Sequence, residues 1–170
     1  MPLLLRERLG GDVFPVHRLD VNVGGVMVFA RTKQAAAVFS RLIQEGSFQK
    51  QYLALVHGVL PPEGRMEDLL WKDPARNKVF VVQRERKGVR SAALQYRTLE
   101  TPAPDQTLVE ITLETGRSHQ IRVQFASRGC PLWGDHKYGA RDEEKYPALL
   151  SWRITFPWPG EGEIKITCPL

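Results

Sequence analysis

The sequence predicts an α+β domain built on a mixed, mainly antiparallel sheet with a few flanking helices. Three observations point there. Short apolar runs rich in Val, Tyr, Ile and Phe recur along the chain, the pattern of half-buried strands. The spacers between them carry Pro and Gly and are mostly too short for helical crossovers, so neighbouring strands should run antiparallel. Only two stretches qualify as helices, and no repeat or low-complexity segment separates them from the strands. A chain of 170 residues without a Pro/Ser-rich linker is expected to form one domain over 1–170.

In chain order, Gly24-Gly25-Val26-Met27-Val28-Phe29-Ala30 reads as a short buried strand. Thr32 is an N-cap for a helix through Glu45 that places Ala35, Val38, Phe39, Leu42 and Ile43 on one face and stops at Gly46. Lys50 to Leu60 reads as a strand ended by Pro61-Pro62-Glu63-Gly64. Val79–Val82, Ser91–Leu99 and Leu108–Thr115 are further strands, with the basic stretch Arg84-Glu85-Arg86-Lys87-Gly88 as a hairpin tip. Ser118 to Arg128 alternates apolar residues as a strand would, yet Ser118 and Gly129 stand where helix caps belong, and the helix is preferred. Two late strands, Leu150–Phe156 and Glu163–Thr167, flank a turn at Pro157-Trp158-Pro159-Gly160.

Composition narrows the class. With 42% hydrophobic and 25% charged residues and no apolar run near the roughly 20 that a membrane helix needs, a soluble protein without membrane association is expected. The first residues lack the apolar core of a secretory signal, so the expected location is cytoplasmic. Two cysteines, Cys130 and Cys168, make no disulfide framework, and no Cys or His pair has zinc-ligand spacing, so no metal is expected. An excess of 24 Lys and Arg over 19 Asp and Glu, net +5, would draw a polyanion, although a solvated surface accounts for that charge equally well.

Four stretches concentrate reactive side chains. His17-Arg18-Leu19-Asp20 precedes the pair Gly24-Gly25, and a carboxylate before a Gly-rich turn can project into a cleft; the plainer reading of Asp20 is an Asx-turn or cap. In Lys50-Gln51-Tyr52-Leu53-Ala54, alternation sets Lys50, Tyr52 and Ala54 on one strand face, where Tyr52 could stack on a base or simply pack in the core. The densest is Thr115-Gly116-Arg117-Ser118-His119-Gln120-Ile121-Arg122, whose cations and amides suit phosphate contacts or pairing with a carboxylate, or else structural salt bridges. Gly134-Asp135-His136-Lys137-Tyr138-Gly139 reads as a loop rather than a catalytic pair, since adjacent Asp135 and His136 would face opposite ways in a strand.

Taken together and in this order, the stretches resemble the RluA family of RNA pseudouridine synthases over about residues 16–140. His17-Arg18-Leu19-Asp20 is similar to the family's motif bearing the nucleophilic Asp, Lys50–Val56 to its tyrosine motif, Gly116–Arg122 to its arginine motif, and Gly134-Asp135 with Tyr138-Gly139 to the turn that follows. Any one match would be weak, because four-residue strings recur by accident. The chain departs from the family after Asp20, where a Thr-Ser-Gly-Leu type sequence is replaced by Val23-Gly24-Gly25-Val26. Only 16 residues precede His17, where the family carries a Lys-Pro-x-Gly strand, so either the start is shortened or an N-terminal edge of the sheet is absent. No S4-like RNA-binding domain is expected.

The resemblance implies an isomerase that detaches uracil from ribose, rotates it and rejoins it through carbon, without a cofactor. It gives Asp20 the nucleophilic attack, Tyr52 stacking on uracil and proton transfer, and Arg122 pairing with ionised Asp20. It implies RNA contacts at Arg18, His17, Lys50, Arg117, His119 and Gln120, a ribosomal or transfer RNA substrate and, by default, a monomer. Two alternatives stand beside it. One is an inactive RNA-binding or assembly protein of the same fold; the other is a glycoside hydrolase using Asp20 with Asp135 as its second acid.

Overall fold

The computed structural model describes residues 2–169. Its elements begin with α1 (Pro2–Leu9), β1 (Phe14–Pro15), β2 (Gly24–Gly25), β3 (Phe29–Ala30), α2 (Lys33–Gln44) and β4 (Gln49–His57). There follow β5 (Glu63–Asp73), β6 (Lys78–Val82), β7 (Val89–Ala103), β8 (Gln106–Leu113), α3 (Gln120–Ala126), a 3-10 turn (His136–Tyr138), β9 (Leu149–Trp158) and β10 (Gly162–Thr167). Their contacts divide the chain into two compact units. One comprises the residues up to Leu19, Gly25–Lys50 and Ser151 onward; the other comprises Asp20–Gly24 and Gln51–Leu150.

In the first unit α2 forms as its sequence requires. The Thr32 hydroxyl accepts from the Ala35 amide at 3.1 Å, and Gly46 at φ 76 turns the chain out. The Gly46 and Ser47 amides donate to the carbonyls of Ile43 and Leu42, the double closure that frees a helix end from dangling acceptors. Phe39 is its buried anchor, 5.1 Å ring to ring from both Phe156 and Trp158 and 5.8 Å from Phe48, in a core shared with Val28, Ala30 and Ile154. Ile43, expected on the packed face, is 37% exposed. The expected strand over 24–30 is broken into β2 and β3, because β3 pairs with β1 while Val26 instead exchanges bonds with Ser151. The β9/β10 turn falls later than expected: Pro157 pairs with Glu163 and Trp158 with Gly162, since proline's fixed φ is compatible with extended backbone.

The second unit is a sheet in the order β4-β8-β7-β5-β6, and the β8/β7, β7/β5 and β5/β6 pairs are antiparallel. β4 stops at His57, ahead of Pro61-Pro62, but β5 was not anticipated: Glu63 and Gly64, read as part of the break, already pair with Arg97 and Tyr96. Its residues mislead because the outward positions are strongly charged: Arg65 pairs with Glu67 and, across the sheet, with Glu114, while Met66 and Leu70 face inward. α3 is helical, as preferred, with every residue from Gln120 to Phe125 buried. Val123 packs on Leu70, Val79 and Ala92, and Phe125 meets Tyr96 edge-on at 5.6 Å. The cap is not Ser118: His119 occupies that position at φ 49 without a side-chain cap bond. Gly129 ends the helix as expected, with its own amide and that of Cys130 returning to the carbonyls of Ala126 and Phe125. No helix among the described residues is long and apolar enough to cross a membrane.

Candidate active site

Asp20 opens a tight turn. The Val23 amide donates to the Asp20 carbonyl at 3.1 Å, and Asn22 takes the left-handed conformation at φ 70 that the turn demands. Because the backbone carbonyl closes the turn, the Asp20 carboxylate is not used up as an Asx-turn acceptor. It is 21% exposed and lies 3.5 Å from Nη1 of Arg122.

Arg122 projects from the buried face of α3, and its principal partner is not Asp20 as expected. Nε and Nη2 donate to the two carboxylate oxygens of Asp135, each at 2.7 Å, in a fork-to-fork pair with the Asp135 side chain 0% exposed. Burial acts against the guanidinium charge, but hydrogen bonds and charge from Asp135, helped by Asp20 and the phenol of Tyr138, outweigh it and hold the pKa above its ordinary value. The Tyr138 ring lies under the guanidinium with its centroid 5.1 Å from Cζ. Arg122 is thereby fixed along one edge and on one face, leaving Nη1 directed at Asp20. Asp135, read from sequence as a loop residue, is a buried anchor. The preceding Gly134, at φ 73, stands where a Cβ would collide with the Tyr146 carbonyl, so the loop backbone beside Asp135 admits only glycine.

His119 precedes Arg122 by one turn. Its Nδ1 meets the Tyr138 hydroxyl at 2.8 Å, and that oxygen accepts the Val79 amide at 2.9 Å. Burial lowers the pKa of His119; Arg122, Lys137 and Lys72 lower it further, and Asp20 opposes them. Gln120 is 2% exposed: its amide oxygen accepts from Thr115 and from the Arg117 backbone, and its nitrogen donates to the Ala93 carbonyl. Those bonds fasten the 115–120 turn to β7 from inside. Arg117 is exposed and donates from Nε to the Ser91 carbonyl at 2.9 Å. Tyr52, at 7% exposure, shares the buried face of β4 with Ala54 and Val56.

In the other unit, His17 Nε2 accepts the Val28 amide at 3.1 Å and its ring packs 5.7 Å from Phe48. Burial, reinforced by the charge of Lys50, pulls its pKa down to about 4, so His17 is neutral at pH 7. Burial also lowers the pKa of Lys50. Arg18 is exposed.

A cavity of about 670 Å³ is bordered by His57, Asp105, Trp133 and Asp142 and reaches Tyr138, but neither Asp20 nor Tyr52 lines it. Within it, His57 bonds Asp105 at 3.0 Å and Asp142 at 2.8 Å and stacks on Trp133 at 4.4 Å. At Asp20, by contrast, a locked guanidinium stands beside a partly exposed carboxylate at a turn. Asp135, spent on Arg122 and shielded from solvent, is not the second positioned acid that a glycoside hydrolase would need.

The sequence model of the RNA pseudouridylate synthase family matches residues 3–127. The chain belongs to this family. Its relatives place it among the RluA-type synthases. The ribosomal large subunit pseudouridine synthase D of Nitrosomonas europaea is 36% identical over 160 residues, covering 88% of this chain and 45% of that protein. The chain thus spans less than half the length of that curated relative. Among solved structures, human RNA pseudouridylate synthase domain containing 4 superposes with a TM-score of 0.80 at 25% identity, covering 99% of this chain and 77% of that one. Human RNA pseudouridylate synthase domain containing 1 gives 0.83 at 23% identity, covering 98% and 72%, a likeness of fold. The α+β reading with a mainly antiparallel sheet is thereby borne out.

Proposed function

We propose that this synthase-family chain isomerises specific uridines of ribosomal or transfer RNA to pseudouridine, with Asp20 as nucleophile. The observation that carries this reading is the placement of Asp20 at a turn, its carboxylate facing the one guanidinium edge that Asp135 leaves open. In the reaction the bond from uracil N1 to ribose C1′ breaks and a bond from C5 to C1′ forms. The C5 proton is lost and N1 gains one, so the change needs no redox partner or group carrier. Asp20 attacks the target nucleotide, Arg122 balances its charge, and Tyr52 stacks on the uracil and moves the proton. The target base has to be flipped out of any helix, and Arg18, two residues before Asp20, fills the vacated stack.

Arg18 and Arg117 are exposed and suit phosphate contacts, joined by Lys50 and by the exposed tip Arg84–Lys87. His17 and Gln120 contribute to RNA binding by holding the backbone beside the motif residues. That the Nitrosomonas relative is named for the ribosomal large subunit favours ribosomal RNA as the first substrate to try.

The test is tritium release from ribosomal and transfer RNA labelled at uracil C5, comparing the purified chain with Asp20→Asn. Release by the unaltered chain and none by the variant, with RNA binding retained, is expected. Equal release from both would remove Asp20 from the chemistry; binding without any release would leave an RNA-binding protein of synthase fold.

A further inference from the structure

We propose that Tyr138 is a positioning residue that holds His119 as the neutral tautomer protonated on Nε2, so that His119 offers a hydrogen-bond donor to a carbonyl of the target uracil. The inference rests on the synthase reading and adds a residue pair to it.

The hydrogen bonds dictate the tautomer. The Val79 amide has only a hydrogen to give, so the Tyr138 oxygen accepts there, at 2.9 Å. The phenol has one proton of its own, and among the described residues its remaining hydrogen-bond partner is His119 Nδ1, at 2.8 Å. Burial pushes the Tyr138 pKa up to about 12, so that proton stays on the phenol at neutral pH. Given to Nδ1, it makes Nδ1 the acceptor and leaves the imidazole hydrogen on Nε2. The opposite arrangement would have the phenol oxygen accept twice and leave its own proton without a protein partner among the described residues.

The surroundings favour the same state. The groups acting on His119 are Arg122 from α3, Lys137 from the 3-10 turn, Lys72 from β5 and Asp20 from its turn. Three of the four are cations, and with burial they disfavour imidazolium. A neutral N–H matches a neutral carbonyl acceptor, which uracil has. The His119 backbone, at φ 49, is in a conformation that non-glycine residues adopt sparingly and that concentrates at functional positions. Tyr138 also lies against the Arg122 guanidinium, so one ring orients both side chains.

The test uses Tyr138→Phe, which keeps the ring on Arg122 and removes only the hydroxyl, together with His119→Asn, which suits the left-handed backbone and removes the titrating imidazole with its Nε2 hydrogen, the shorter amide ending well before that position. Nitrogen NMR of ring-labelled histidine should show His119 protonated on Nε2 alone at pH 7 in the unaltered chain. In Tyr138→Phe the tautomers should mix and His119 should titrate at a higher pH, because the bond that favoured neutral Nδ1 is gone. Turnover should fall about tenfold, the scale of one lost hydrogen bond, with KM for RNA within about twofold and the acid limb of the kcat profile moved upward. His119→Asn should lower kcat at least as much and lose that limb. An Nδ1-protonated or charged His119 in the unaltered chain would overturn the proposal, as would unchanged kcat and pH profile in both variants. Absence of pseudouridine with the unaltered chain would sink the synthase reading, while the spectrum would still decide the tautomer.

Discussion

Replacing Asp135 by Asn keeps the shape of the side chain and removes the charge that faces Arg122. Both Asp135 oxygens accept from the guanidinium at 2.7 Å, and the carboxylate is wholly shielded from solvent, as is about nine-tenths of the arginine side chain. Removing one member of such a buried pair costs about 3–5 kcal/mol, because the remaining charge stays desolvated. The Asn oxygen can still accept one N–H, and Asp20 remains 3.5 Å away, so the lower end, about 3 kcal/mol, is expected. For a chain of this length that corresponds to a fall in thermal midpoint of about 6–12 °C. Asp20→Asn is the internal control: its carboxylate is partly exposed and more distant, and its loss should cost under about 1 kcal/mol. Thermal and urea unfolding of the two variants measure the contrast. A shift for Asp135→Asn no larger than that for Asp20→Asn would refute the view that Asp135 is the anchor and Asp20 the open partner of Arg122.

Two further outcomes concern Gly25 and His17. Gly25 stands at φ 111 with the Ser151 carbonyl where a Cβ would be, whereas Gly24 has open space around its Cβ position. Gly25→Ala should cost about 2–4 kcal/mol from backbone strain and collision, and Gly24→Ala under about 1, as read by urea midpoints; equal costs would contradict the close approach. His17, with its pKa depressed from 6.5 to about 4, contributes stability that is present above pH 6.5 and lost as the pH falls through about 4. Discounted for partial exposure, this is ~1–2 kcal/mol. His17→Gln keeps an acceptor for the Val28 amide without titrating, so its urea midpoint should fall less between pH 7 and pH 4 than that of the unaltered chain. An equal fall would show that the acid sensitivity arises elsewhere.

Local rules carried much of the reading where the deciding contacts are close in sequence. Thr32 and Gly46 bound α2 because a cap and a closing turn involve residues a few positions apart, and Gly129 ends α3 for the same reason. Local rules failed where a segment's partner is distant. β5 hides because its charged outer face is satisfied by Glu114, 49 residues from Arg65. Val26 leaves the expected strand because Ser151 draws its backbone away.

The candidate site divides in the same way. By itself, the sequence determined the kinds of residue available and, through their order and spacing, the synthase family, because a motif is local by construction. Asp20, Tyr52 and Arg122 stood out as candidates for that reason, and of these the structure sets Asp20 3.5 Å from Arg122. Only the tertiary structure decided which carboxylate grips the arginine and which nitrogen of His119 is engaged. Asp135 lies 13 residues beyond Arg122, and Tyr138 reaches back to Val79 across 59 residues of chain. A carboxylate in a polar loop has no sequence mark that distinguishes a solvated charge from one driven into a dry pocket against a guanidinium. Burial makes that distinction, and burial depends on what the rest of the chain packs around it.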